Sequence, residues 1–144
     1  MTGSETGSQD RSCRTAALIA ELRRQGIRNE RVLSAMARVP REHFVPEPWK
    51  ARAWENVALP IADGQTISQP YIVALMTAAL VLRGGEQVLE IGTGSGYQAA
   101  ILAELGCQVI TIERHPELAA AALNLLRQLG YANVQVIVGD GTTG

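Results

Sequence analysis

The stretch Val88-Leu89-Glu90-Ile91-Gly92-Thr93-Gly94-Ser95-Gly96-Tyr97 constrains the fold of this chain more than any other: a short apolar strand runs straight into a glycine-rich turn and then a helix. Glycine permits positive φ and removes the Cβ that would hold a ligand off the backbone, while the helix behind such a turn offers unpaired N–H groups. A second strand, Gln108-Val109-Ile110-Thr111-Ile112-Glu113, ends in a carboxylate 21 residues after Gly92, a spacing that suits the binding of a ribose diol. A tight structural connection between strand and helix is the competing reading of the turn.

The alternation continues along the chain. Strand 87–91, helix 97–105, strand 108–113, helix 116–129 and strand 134–138 predict an α/β domain with a parallel sheet and flanking helices on right-handed crossovers. The C-terminal ends of the strands then share one edge, where open α/β sheets bind ligands. Gly92 to Gly96, Glu113 and Gly139-Asp140-Gly141 all fall on that edge. Asp140 suits a hydrogen bond from an adenine amino group, and an Asp-Gly turn that merely closes the strand is the alternative. The glycines alternate as G-x-G-x-G and depart from the G-x-G-x-x-G that leaves a helix N-terminus open to a pyrophosphate. S-adenosylmethionine has no phosphate and needs only close backbone approach, so methyl donation is the leading chemistry.

Upstream, residues 1–12 are rich in Gly, Ser and Thr and nearly lack apolar side chains, which predicts a flexible tail. A loosely amphipathic helix from about Arg14 to Gln25 carries Ala17, Leu18, Ala20 and Leu22 and stops at Gly26. Asn29 is placed to cap a second helix bearing Val32, Leu33 and Met36, which ends before Pro40. The polar segment Leu59 to Pro70 leads into an apolar helix, Tyr71 to Leu82. Pro70 suits a first helical position, with Ser68 or Gln69 at or beside the N-cap.

Composition excludes several partners. With a net charge of −1 and no basic run, the chain has no electrostatic footprint for nucleic acid or for an anionic membrane surface. Its longest apolar run, 71–82, falls short of the roughly 20 residues that span a bilayer, and no signal-peptide pattern opens the chain. The expectation is a cytoplasmic protein. The two cysteines, Cys13 and Cys107, and the two histidines, His43 and His115, are isolated from one another, so no metal site is expected.

The chain resembles the protein-L-isoaspartate O-methyltransferases. The residues that carry the likeness are Arg38-Val39-Pro40-Arg41-Glu42-His43-Phe44-Val45-Pro46, Gly64-Gln65-Thr66-Ile67-Ser68-Gln69-Pro70-Tyr71, the Leu89 to Tyr97 turn and Gly139-Asp140-Gly141. Many methyltransferases share the glycine turn, whereas the GQTISQP block about twenty residues before it is characteristic of this family. The resemblance implies a Rossmann-like class I methyltransferase fold with a helical N-terminal lead-in. Residues 1–12 would be tail, 13–83 lead-in and substrate-side segment, and 84–144 the N-terminal half of the S-adenosylmethionine-binding domain.

It also implies methyl transfer from S-adenosylmethionine to the α-carboxylate of L-isoaspartyl residues in damaged peptides and proteins, a repair reaction. A carboxylate with a pKa of about 4 is already ionised at neutral pH, so alignment matters more than a base or a metal. The family's active-site serine maps onto Ser68, with Gln65 and Thr66 beside it on the substrate side. Glu90, Gly92, Gly94 and Ser95 would line the methionine part of the donor, with Thr93 and Gly96 in the same turn. Glu113 would take the ribose hydroxyls, and Asp140 and Gly141 the adenine edge.

Two departures from the family pattern are visible. Ala62-Asp63 stands where Gly-His is usual, which brings a carboxylate near a site for another carboxylate. The chain also ends at Gly144, just after the third motif, where the family continues. The C-terminal strands are therefore expected to be absent and strand 87–91 to become an edge, open to self-association or to a complementing C-terminal portion. A donor-binding module without catalysis of its own is the alternative reading.

Overall fold

A computed structural model describes residues 3–143; Met1 and Thr2 of the expected tail lie outside the described residues. Helix α1, Gly3–Arg24, corrects the tail expectation, because residues 3–12 continue the helix. Leu18, Ile19 and Leu22 anchor its C-terminal half in the core, and once a helix is nucleated each added residue closes a hydrogen bond without a new nucleus. Tertiary contacts then hold the polar turns. Arg14 Nη1 donates to Ala51 O at 2.9 Å, Arg11 pairs with Glu42 at 2.7 Å, and the Arg11 guanidinium lies 5.9 Å from the Trp54 ring centroid.

Helix α2, Glu30–Arg38, begins as expected at Asn29, whose side-chain oxygen accepts the amides of Arg31 and Val32 at 3.1 and 3.3 Å. Val32, Leu33 and Met36 face the core, and Pro40 prevents further extension. Two 3-10 turns, Arg41–Phe44 and Glu47–Arg52, lead to a hairpin of β1, Leu59–Pro60, and β2, Thr66–Ile67. Asp63 and Gly64 make the hairpin turn at φ 58 and 67, a left-handed conformation that aspartate tolerates better than most residues. Helix α3, Pro70–Ala79, opens on proline as predicted but stops three residues early. Val81 sits at φ 50 as the chain turns back toward the sheet.

The remaining elements are β3, Gln87–Ile91; α4, Tyr97–Glu104; β4, Gln108–Glu113; α5, Pro116–Gln128; and β5, Val134–Val138. The strands are parallel, in the order β3-β4-β5. Because the order runs one way, right-handed crossovers place α4 and α5 on the same face of the sheet. Val109, Thr111 and Glu113 are buried against them. The opposite face presents two rows in register, Leu89–Ile110–Gln135 and Ile91–Ile112–Ile137. Leu89 is 61% exposed and Ile91 55%. Among the described residues β3 pairs only with β4, so it is an edge strand. No described helix is long and apolar enough to cross a membrane.

Candidate functional site

The glycine turn leaves β3 with its backbone tied to β4: the Gly92 amide donates to Ile112 O at 2.7 Å. Gly92 has φ 89, and a Cβ added there would meet no atom within 4 Å. A side chain at this position would therefore enter the open space that the turn borders. Glu113, only 5% exposed, accepts the Gly94 amide at 2.9 Å on Oε1 and the His115 amide at 3.0 Å on Oε2. Its carboxylate thus fastens the turn after β3 to the end of β4.

Two cavities meet at this turn. The first, of about 420 Å³, is lined by Thr66 and Ser68 from the hairpin, by α3, and by Glu90, Gly92, Thr93, Gly94 and Ser95. The second, of about 300 Å³, is lined by Gln65, Glu113, Asp140 and Gly141. Ile91 and Gly92 border both. Of the residues singled out from the sequence, Gly96 lines neither. It caps α4 at φ 89, and its Cα faces α5, where a Cβ would stand 3.3 Å from Ala122 Cβ and 3.4 Å from Leu126 Cδ1. Its lack of a side chain serves helix packing.

Glu90 points to the covered face of the sheet, opposite Thr111 in register. Thr111 Oγ1 donates to Glu90 Oε1 at 2.6 Å, which uses its only proton. Thr93 Oγ1, 2.6 Å from Thr111 Oγ1, is then the donor of that second bond. Burial pushes the Glu90 carboxyl up to about 7, against the Thr111 hydrogen bond, and the nearby Glu113 charge adds to the rise. Asp140 Oδ1 accepts both the amide and the hydroxyl of Thr142, at 2.9 and 2.7 Å, and these bonds hold its pKa below the usual carboxylate range. Asp140 therefore closes the strand as an Asp turn while lying on the cavity wall.

Ser68 is exposed on the first cavity and does not cap α3. The cap comes from Asn56, whose Oδ1 accepts the Tyr71 amide at 2.9 Å. The Asn56 carbonyl accepts from Gln69 Nε2 at 3.1 Å. Gln65 Nε2 donates to Asp63 O at 3.3 Å within the hairpin turn. Asp63 is exposed at the tip and lines neither cavity. Among the described residues no group of three or more His, Cys, Asp and Glu side chains is arranged to hold a metal.

Three site residues escape a reading of the sequence: Asn56, Thr111 and Arg41. A polar residue at an inward strand position signals Thr111, since Val109 and Glu113 flank it on the same face. Arg41 stands inside the Arg38–Pro46 block but is marked there by no chemistry of its own.

Comparison with known proteins bears on this arrangement. Residues 13–144 match the family model described as protein-L-isoaspartate(D-aspartate) O-methyltransferase (PCMT). The protein-L-isoaspartate O-methyltransferase of Dictyoglomus thermophilum is 57% identical over 127 residues, covering 88% of this chain and 58% of its own length. That of Syntrophus aciditrophicus is 58% identical over 124 residues, covering 86% and 57%. This chain thus spans less than two-thirds of the relatives it matches. A solved protein-L-isoaspartate O-methyltransferase superposes with a TM-score of 0.80 at 29% identity, over 88% of this chain and 42% of that one. The structure of a putative Plasmodium falciparum protein-L-isoaspartate O-methyltransferase in complex with S-adenosyl-L-homocysteine superposes at 0.71 with 26% identity, over 85% and 62%.

Proposed function

The chain belongs to the protein-L-isoaspartate(D-aspartate) O-methyltransferase family and has its Rossmann-like class I methyltransferase fold, and we propose that it carries the donor site and one side of the acceptor site for methylation of the α-carboxylate of L-isoaspartyl residues. In this reading it acts in the repair of damaged peptides and proteins. The observation that carries the reading is a shared cavity. Thr66 and Ser68 line the same space as Glu90 and the glycine turn.

Bound there, S-adenosylmethionine supplies a methyl group on a positively charged sulfur. The site fits such a molecule: two cavities that share Ile91 and Gly92 in their walls flank a turn with no side chain at Gly92, and carboxylates from Glu90, Glu113 and Asp140 border them. Glu90 lies where a positive charge would be matched. Glu113 Oε1 and Oε2 each accept one backbone amide and retain a second lone pair for a ribose hydroxyl. Asp140 and Gly141 would meet the adenine edge.

On the acceptor side, Ser68 Oγ donates a hydrogen bond to the isoaspartyl carboxylate and orients it without removing its charge. Thr66 and Gln65 flank that position. The acceptor is ionised at neutral pH, so the residues here align reactants and exclude water rather than remove a proton. Residues 13–83 supply this side and 84–144 the donor side. The open edge of β3 is where a complementing C-terminal portion or a second copy would pair. The unpaired thiols of Cys13 and Cys107 support a reducing, cytoplasmic setting.

A second reading, a donor-binding module without turnover, is favoured by the exposed face around Leu89 and Ile91. The deciding experiment is methyl transfer from labelled S-adenosylmethionine to a matched pair of isoaspartyl and aspartyl peptides, with Ser68→Ala as control. Label on the isoaspartyl peptide alone, lost on substitution, supports repair methylation. Donor binding with no label on either peptide overturns it in favour of the binding module.

A further inference from the structure

The Arg38–Pro46 block holds the one fully buried arginine among the described residues. Arg41 is 0% exposed, and its guanidinium reaches three separate parts of the chain. Nε donates to Ala53 O at 2.7 Å, and Nη2 donates to Ser68 O at 2.9 Å and more weakly to Val57 O at 3.5 Å. Its Cζ lies 4.7 Å from the centroid of the Tyr97 ring. Phe44, from the same short turn, meets that ring edge-on at 5.5 Å. Tyr97 opens α4 immediately after the glycine turn and itself lines the first cavity.

One planar cation therefore touches both walls of the candidate site, through the main chain of Ser68 on one side and the ring of Tyr97 on the other. Lysine cannot replace it, since a single ammonium lacks the fork that reaches several carbonyls while its face stacks on an aromatic ring. Such a burial is costly unless the charge is well hydrogen-bonded: Nε and Nη2 are satisfied by carbonyls on the Ser68 side, the Tyr97 ring covers the guanidinium on the other, and the buried Nη1 is left without a hydrogen-bond partner among the described residues.

We infer that Arg41 is a positioning residue for methyl transfer: it sets the separation of Ser68 from the glycine turn. The inference rests on the proposed function for the meaning of that separation. A displacement of about 1 Å between reacting groups costs on the order of 100-fold in rate. Arg41 touches neither reactant and acts only through the two walls.

The test compares wild type, Arg41→Lys and Arg41→Met in three measurements: methyl transfer to an isoaspartyl peptide with kcat and KM separated, affinity for S-adenosylhomocysteine, and hydrogen exchange resolved by segment. Two variants keep the test decisive where one fails to fold. The expected result is a fall in kcat per folded molecule of about 10- to 100-fold, product affinity within about 3-fold of wild type, a difference of roughly 0.6 kcal/mol, and faster exchange at residues 65–69 with β4 unchanged. Unchanged kcat per folded molecule, or exchange that rises uniformly along the chain, overturns the inference. Should wild type itself transfer no methyl group, the proposed function fails on that result alone, and exchange then decides Arg41: selective release of 65–69 sustains it and its absence overturns it.

Discussion

The Gly94 amide donates to Glu113 Oε1 at 2.9 Å, so the side chain that ends one strand fixes the turn that ends its neighbour. The other oxygen of the same carboxylate takes the His115 amide, and the two bonds together set the shape of the turn before any ligand arrives.

Replacing Glu113 with Gln puts an NH₂ where one of two acceptors is needed. Hydrogen bonds to a charged acceptor are worth about 1.5–3 kcal/mol each, and denaturant unfolding of Glu113→Gln is expected to show a loss of that order. Calorimetric titration with S-adenosylhomocysteine should show weaker binding as well. Wild-type affinity in the variant would remove Glu113 from the donor site.

Glu90 makes the chain's response to pH specific. Its folded pKa of about 7 lies above the ordinary carboxylate value of 4.5, so between these values the native state holds a proton that the unfolded state has released. The stabilisation is fully present below pH 4.5 and is lost as pH rises through 7, on the order of 3 kcal/mol in all. Glu90→Gln should flatten this dependence in thermal unfolding followed from pH 4.5 to 8. A cationic donor pulls the proton off, so its binding should tighten with rising pH over the same window and release a proton near pH 6. Parallel pH profiles for variant and wild type would contradict the assignment.

Alanine at two glycines of one turn should fail in different ways. Gly92 and Gly96 share φ 89, but only Gly96 faces packed atoms. Both variants incur about 1–2 kcal/mol for the left-handed backbone, and Gly96→Ala adds the displacement of Ala122 and Leu126 on α5. Gly92→Ala places its methyl in the cavity, so it should lose donor binding out of proportion to its stability. Unfolding and titration measured side by side separate the two.

Capping and cavity roles also separate by substitution. Asn56→Ala removes the acceptor of the Tyr71 amide and should cost about 1 kcal/mol. Ser68→Ala touches no cap and should stay within about 0.5 kcal/mol of wild type while methyl transfer falls. A stability loss in Ser68→Ala equal to that of Asn56→Ala would return serine to a structural role.

The strands at 87–91, 108–113 and 134–138 are legible in the sequence because each is a short apolar run bounded by glycine or another turn-forming residue, and local composition alone decides that. The same alternation places Glu90, Glu113 and Asp140 at one edge. Long-range contacts leave no such mark. Asn56 caps a helix that starts 14 residues later, and Arg41 binds a carbonyl 27 residues away, distances at which periodicity is silent. Residues 3–12 read as tail for a related reason: their helix is held by Arg11 and Arg14 reaching other parts of the fold, which their polar composition does not announce. Gly96 carries the pattern of a ligand-facing glycine, yet it meets a helix.

The hydrogen bonds that Arg41 donates end on carbonyl oxygens, at Ala53, Val57 and Ser68, and every amino acid carries that atom. Placement and chemistry are thereby uncoupled at position 68: its side chain can be exchanged without moving its main chain. Mutational change can explore new hydroxyl, amide or apolar groups against an incoming ligand there while the scaffold that presents them stays in register.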